Sequence, residues 1–245
     1  MPINLSQNTV LSSGLTINGV YKSKVNREGL YLYLDAGDLN SYPGSGTVWY
    51  DLSEYGNDAT IYGSPTWGIV SGATAFTHTV ANQFSTGTTG TESPTIQCTV
   101  EVWVALSGSE IASGLTDRGE MCLQRGGDSI YNSYIRTTYK LNNYWVNHIP
   151  NGYHQSGGPI SKQRWHQLMG IWDNKNMYQW LDGVLTSVDN VIGTSTANTD
   201  YWIAGSSGFN RWFAGSMAIV RLYNRALHPY EIAENFQANR GRFGI

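Results

Sequence analysis

Residues 99–106 read Thr-Val-Glu-Val-Trp-Val-Ala-Leu, and their alternation decides the fold class. In an extended chain successive side chains point to opposite faces. Val100, Val102 and Val104 therefore share one face, expected to be core, while Glu101, Trp103 and Ala105 share the other. Period-2 alternation of this kind recurs along the chain, and a 3.6-residue period appears only near its end.

Working outward, residues 30–34 (Leu-Tyr-Leu-Tyr-Leu) read as a strand, as do 74–79, 133–139, 165–172, 177–181, 201–204 and 216–223. Clusters of Gly, Asn, Asp and Ser separate them at short intervals, which marks a sandwich or barrel rather than βαβ units. Asp173-Asn174-Lys175-Asn176 forms one turn, and Leu181-Asp182-Gly183-Val184 places Asp-Gly between apolar residues, a strong hairpin signal. Together they describe a three-stranded antiparallel meander. A single helix is expected over residues 229–238: Pro229 suits the first helical position, Glu231 complements the helix dipole, and Ile232 and Phe236 are four apart. A basic tail, Arg240-Gly241-Arg242, is expected to follow.

Composition narrows the function classes. The 245 residues are 40% hydrophobic and only 13% charged, against a typical charged fraction of about 25%, which disfavours disorder and coiled coils. Twenty-eight glycines and a 13% aromatic fraction suit twisted strands joined by tight turns. A net charge of −3 without any Lys/Arg run excludes the basic footprint of nucleic-acid binding. No stretch approaches the roughly 18 apolar residues of a spanning helix, so no membrane partner is expected. Cys98 and Cys122 each lie in an apolar stretch; a bridge between them is geometrically open, and two reduced, buried thiols are the simpler reading.

Residues 1–28 differ from the rest. Their apolar residues, Ile3, Leu5, Val10, Leu11, Leu15 and Ile17 among them, are dispersed among Ser, Asn and Thr. This segment is read as an extended assembly arm, held by another subunit or by the surface of a domain covering residues 29–245. It has no basic region followed by an apolar one, so no secretory signal is visible.

At both ends particular residues carry a family likeness. Gly29-Leu30-Tyr31-Leu32-Tyr33-Leu34-Asp35-Ala36-Gly37, Ser41-Tyr42-Pro43-Gly44-Ser45-Gly46-Thr47-Val48-Trp49-Tyr50-Asp51-Leu52-Ser53 and Gly56-Asn57-Asp58-Ala59-Thr60 resemble the opening of laminin-G-like, concanavalin-A-like jelly-roll domains of tailed-bacteriophage virion proteins. Ala214 to Leu227, Glu231-Ile232, Asn235-Phe236 and Arg240 to Ile245 resemble their last strand and terminal helix. Arg164-Trp165-His166-Gln167-Leu168 and Leu181-Asp182-Gly183 fall where that family has its central hairpin. The resemblance implies an all-β, two-sheet jelly-roll sandwich with one short C-terminal helix. Jelly rolls host lectins, hydrolases, capsid proteins and adhesion modules, so function needs its own argument. Asp35, Asp51 and Asn57 read as loop and cap partners of backbone N–H groups.

A glucanase needs two carboxylates flanking the scissile bond. Glu101 occupies the natural place, but Trp103 and Ala105 follow on its face, so no catalytic residue is expected. His78, His148, His154, His166 and His228 lack ligand spacing; His148 and His154 are read as lying in one loop. Asp173, Asn174 and Asp182 are the candidate calcium ligands, but Asp182 is already accounted for by its turn, and the expectation is no cofactor and no metal. The stretch 131–153 holds Tyr131, Tyr134, Tyr139, Tyr144, Trp145 and Tyr153 among five asparagines. Such rings serve as core, as a protein interface or as a sugar surface.

Three functions are weighed. The leading one is a non-enzymatic virion structural protein, a capsid decoration or cement subunit contacting the major capsid protein and copies of itself, assembled in the host cytoplasm. The alternative is a carbohydrate-binding tail, baseplate or fibre component. A glycan hydrolase is disfavoured by the missing second acid.

Overall fold

The strand carrying Thr99 to Leu106 is buried along its whole length, on both faces. The valine face therefore explains only half of its environment, and a second layer must cover the Glu101, Trp103 and Ala105 face. In the computed structural model, which describes residues 14–17, 20–79, 82–89, 97–107, 120–125, 136–140, 144–149, 152–190, 200–205 and 212–245, that layer is a helix.

In chain order the strands begin with β1 (Gly14–Ile17), β2 (Val20–Ser23), β3 (Leu30–Asp35), β4 (Val48–Trp49), β5 (Ala59–Tyr62) and β6 (Thr66–Val70). They continue with β7 (Ala73–His78), β8 (Phe84–Thr88), β9 (Cys98–Leu106), β10 (Glu120–Arg125), β11 (Arg136–Lys140) and β12 (Tyr144–Ile149). The last are β13 (Gly152–Pro159), β14 (Trp165–Trp172), β15 (Asn176–Leu181), β16 (Val184–Asn190), β17 (Asp200–Ile203) and β18 (Gly215–Tyr223), followed by α1 (Pro229–Phe243).

Two antiparallel sheets stack face to face. The helix-side sheet runs β16, β15, β14, β9, β18, β7, β6, with β3 pairing the second half of β18. The open sheet runs β13, β12, β11, β10, β17, β8, β5, β4. Both match the expected all-β jelly-roll sandwich, and the meander β14, β15, β16 forms as the two turns require. Asp182 and Gly183 take φ of 51° and 76°, as a primed hairpin turn demands.

Between the sheets lies one core, built from Val100, Val102, Val104, Leu168, Val220 and Leu222 on one side and Trp49, Ile61, Tyr201 and Ile203 on the other. Outside the helix-side sheet a second core joins Trp103, Trp165, Met169 and Ile219 to Ile232, Phe236 and Phe243 of α1. Trp103 stacks on Phe243 at 4.3 Å between ring centroids. The helix sits so close that a Cβ on Gly183 would meet the Phe236 ring at 2.8 Å.

The helix starts where Pro229 predicts, with the Glu231 carboxylate accepting the His228 N–H at 2.8 Å. It ends at Phe243, five residues beyond the expected limit, with Gly244 at φ 68° as its left-handed cap. Arg240 and Arg242 are thus the last helical turn, not a tail. Arg242 clamps Asp35 through Nη1 at 2.7 and 2.8 Å, tying the helix end to β3.

Residues 14–23 of the segment read as an arm contain the hairpin β1 and β2, outside both sheets. Asn26, also assigned to the arm, is bonded into the body. Its N–H donates to Asn235 Oδ1 at 2.9 Å and its amide to Glu231 Oε1 at 2.7 Å. The folded body therefore starts earlier than residue 29. No helix among the described residues is long and apolar enough to cross a membrane.

Candidate functional site: an aromatic stack on the open sheet

On the open sheet, side-chain alternation sends Ile61, Ser85, Tyr201 and Ile203 inward and Tyr62, Phe84, Thr86 and Trp202 outward. The register explains why the outward residues meet: Tyr62 lies opposite Phe84, and Thr86 lies opposite both Thr60 and Trp202. Phe84 consequently sits in a stack. Its ring is 4.9 Å from Tyr62 at 17°, and 4.9 Å from Trp202 at 29°. Trp212, from the segment after β17, packs on it at 5.8 Å. On the inner face of β17 Tyr201 lies in the core, where its hydroxyl donates to Asn57 O at 2.6 Å; burial raises the pKa of this phenol, so it stays protonated.

Tyr62 is 46% exposed, and no described helix or strand layer covers this face. Thr60, Thr88 and Asp200 are exposed residues that strand alternation puts on the same face as the rings. Large rings edged by hydroxyl and carboxylate groups can pack on apolar C–H surface while bonding polar groups of the same ligand.

The helix-side sheet offers no comparable surface at Glu101. That carboxylate is fully buried and accepts from Arg221 Nη1 at 2.9 Å, Trp103 Nε1 at 2.9 Å, Gln167 Nε2 at 2.8 Å and Asn235 Nδ2 at 3.0 Å. Arg221 also donates to Tyr33 and Asn239 and lies 4.4 Å over the Tyr33 ring. Burial alone would lower the guanidinium pKa, but Glu101, Tyr33 and Tyr223 together outweigh it and hold the pKa above its ordinary value. Glu101 is thus structural. A cleft of about 560 Å³ at the start of α1, lined by Tyr178, Trp180, Tyr230, Arg225 and Asp173, has its charges satisfied internally. Arg225 pairs with Glu231, and Asp173 accepts from the Lys175 and Asn176 N–H groups and the Tyr178 hydroxyl.

The residues singled out from sequence are distributed as follows. Tyr131 and Tyr134 lie outside the described residues, as do Ile3, Leu5, Val10 and Leu11. Tyr139 is on β11, Tyr144 and Trp145 on β12, and Tyr153 on β13, the edge of the open sheet; the backbone register sets Tyr139 opposite Trp145. Leu15 and Ile17 are on β1. His148 lies on β12 and His154 on β13, two paired strands, rather than in one loop. Asp173 and Asp182 stand at opposite ends of β15 and do not converge, so they cannot share one calcium with Asn174. Asp35 and Asp51 cap loops as read: Asp51 accepts from the Tyr33, Ser53 and Asn57 N–H groups, Asp35 from that of Gly37, whereas the Asn57 side-chain amide instead donates to the Tyr31 carbonyl at 2.6 Å. Tyr62, Phe84 and Trp202 were not distinguished by sequence, because they are far apart in the chain and only the strand pairing joins them.

A family model described as the concanavalin A-like lectin/glucanases superfamily matches residues 83–233. The chain belongs to that superfamily. No curated protein matches it in sequence. Among solved structures, Trypanosoma rangeli sialidase is similar over 94% of this chain and 36% of its own, with TM-score 0.65 and 15% identity. This chain therefore spans about a third of the sialidase's length. Domain 4 of AbnA, a GH43 extracellular arabinanase from Geobacillus stearothermophilus, solved in complex with arabinotriose, is covered completely by 87% of this chain, with TM-score 0.62 and 15% identity. The receptor binding domain of botulinum neurotoxin C/D mosaic serotype is similar over 85% of this chain and 51% of its own, with TM-score 0.63 and 10% identity. At such identities the likeness shows the fold alone.

Proposed function

We propose that this domain binds carbohydrate through the open sheet without cleaving glycosidic bonds. The observation that carries the reading is the uncovered stack of Tyr62, Phe84 and Trp202 with its fringe of hydroxyl and carboxylate groups. A sugar ring offers an apolar C–H face and a polar edge, and this surface answers both. The fold shared with an arabinanase domain solved with arabinotriose supports the reading. A glycan microarray probed with the labelled domain tests it: at least one glycan class should bind, and an array without any bound glycan would refute it.

A second reading is attachment to a virion as a decoration or cement subunit, the role implied by the likeness of both chain ends to phage domains. The exposed Val184, Leu185 and Val188 on edge strand β16 favour it, because solvent-facing aliphatic residues on a sheet edge are what a neighbouring subunit would bury. Such a subunit would stabilise assembled particles by mass action, with copies of itself and the major capsid protein as partners. Co-sedimentation of the domain with particles, lost on replacing Val184 and Val188 by Lys, is the expected result; unchanged co-sedimentation of that variant would refute the role of this edge.

A further inference from the structure

We propose that Ser161, His166 and Asp182 form a nucleophilic triad, with Ser161 Oγ able to take acyl or phosphonyl groups from activated esters. Ser161 Oγ lies 2.8 Å from His166 Nε2, and His166 Nδ1 lies 2.8 Å from Asp182 Oδ2. With the carboxylate as acceptor, Nδ1 is the donor to Asp182, and in the neutral imidazole Nε2 then accepts from the Ser161 hydroxyl. That tautomer is the one a general base requires.

Pairing of β14 with β15 builds the arrangement. Asp182 and Gln167 exchange two bonds: the Asp182 N–H donates to Gln167 O at 3.0 Å, and the Gln167 N–H donates to Asp182 Oδ1 at 2.8 Å. The carboxylate is thereby locked with its second oxygen on the imidazole. His166 is 4% exposed, whereas Ser161 is exposed. The base is shielded and the nucleophile is open to a reagent. Ser161 leads into a turn in which Gln163 has φ 59°, a left-handed value uncommon outside glycine and of the kind that concentrates at functional sites. The triad belongs to the helix-side sheet, so the inference stands apart from glycan binding on the open sheet.

The step balances with an ester and water. Ser161 Oγ bonds to the acyl carbon and gives its proton to His166 Nε2; the bond from that carbon to the leaving oxygen breaks, and the oxygen departs with the proton. Water, deprotonated by His166 in turn, then releases the acid and restores Ser161. Asp182 keeps its bond to Nδ1 and orients the ring.

The test is reaction of the purified full chain with a fluorophosphonate, in which the P–F bond breaks and the phosphonyl group remains on oxygen. Intact mass and peptide mapping should show one adduct, on Ser161. Ser161→Ala should abolish it, with circular dichroism to check the fold of the variant, which loses the bond to His166 Nε2. Asp182→Asn and His166→Gln should slow labelling about 100-fold or more, and circular dichroism checks their fold. Absence of an adduct in the wild type, scattered adducts on several serines, or unchanged labelling of Ser161 in a folded Asp182→Asn protein would overturn the proposal. A chain of bonds serving structure alone gives the first of these results.

Discussion

The Glu101 carboxylate and the Arg221 guanidinium meet at 2.9 Å with neither side chain exposed to solvent. They face each other across β9 and β18 beneath α1, where Asn235 and Asn239 supply further bonds. Removing one partner leaves the other charged and unpaired in a low-dielectric site. Glu101→Gln should therefore lower stability by about 3–5 kcal/mol, measured as a shift in the urea midpoint without a change of slope.

The second core depends on the end of α1. Phe243 stacks on Trp103 and packs at 4.9 Å on Trp165. Phe243→Ala should cost about 3 kcal/mol, read by thermal or chemical unfolding. An effect below about 0.5 kcal/mol would mean that the last turn contributes nothing to the fold.

His78 is buried with its Nδ1 unpartnered. Burial pushes its pKa down to about 4 against 6.5 for the free side chain, with a backbone bond to Gly215 opposing. Between those two values the unfolded chain holds a proton that the folded chain lacks. Stability should be at its full value above pH 6.5 and fall as pH drops toward 4, by about 3 kcal/mol in all from this group. His78→Gln should flatten that part of the pH–stability curve, measured by denaturant titration at steps across the window.

Truncation locates the start of the body. Deleting residues 1–23 removes β1 and β2, which lie outside both sheets, and should cost less than deleting residues 1–28, which also removes the Asn26 bonds to Glu231 and Asn235. The longer deletion should cost about 2–4 kcal/mol, compared by urea unfolding of the two products.

Legibility followed local pattern. The strands β9, β14 and β18 alternate or run apolar over eight or nine residues, and their bounds lie within a residue of the expected ones. A short, Thr- and Gly-rich strand such as β8 carries too few apolar residues to stand out. The helix start was legible from Pro229, but Asn239 and Gly241 look like helix breakers. Asn239 is held in the helix by its bond to Arg221, a partner 18 residues away. The Asp-Gly turn was legible, yet nothing local shows that Asp182 also orients His166. Likewise the stack of Tyr62, Phe84 and Trp202 joins strands separated by more than a hundred residues, and only register brings it together.

The central claim is that the open sheet recognises sugar through this stack. Calorimetric titration of the strongest array glycan into the wild type, Trp202→Ala and Tyr62→Ala measures it most directly. The account predicts saturable binding by the wild type and at least tenfold weaker binding by each variant, with unfolding temperatures that show both variants folded. Equal affinity in wild type and both folded variants would contradict it.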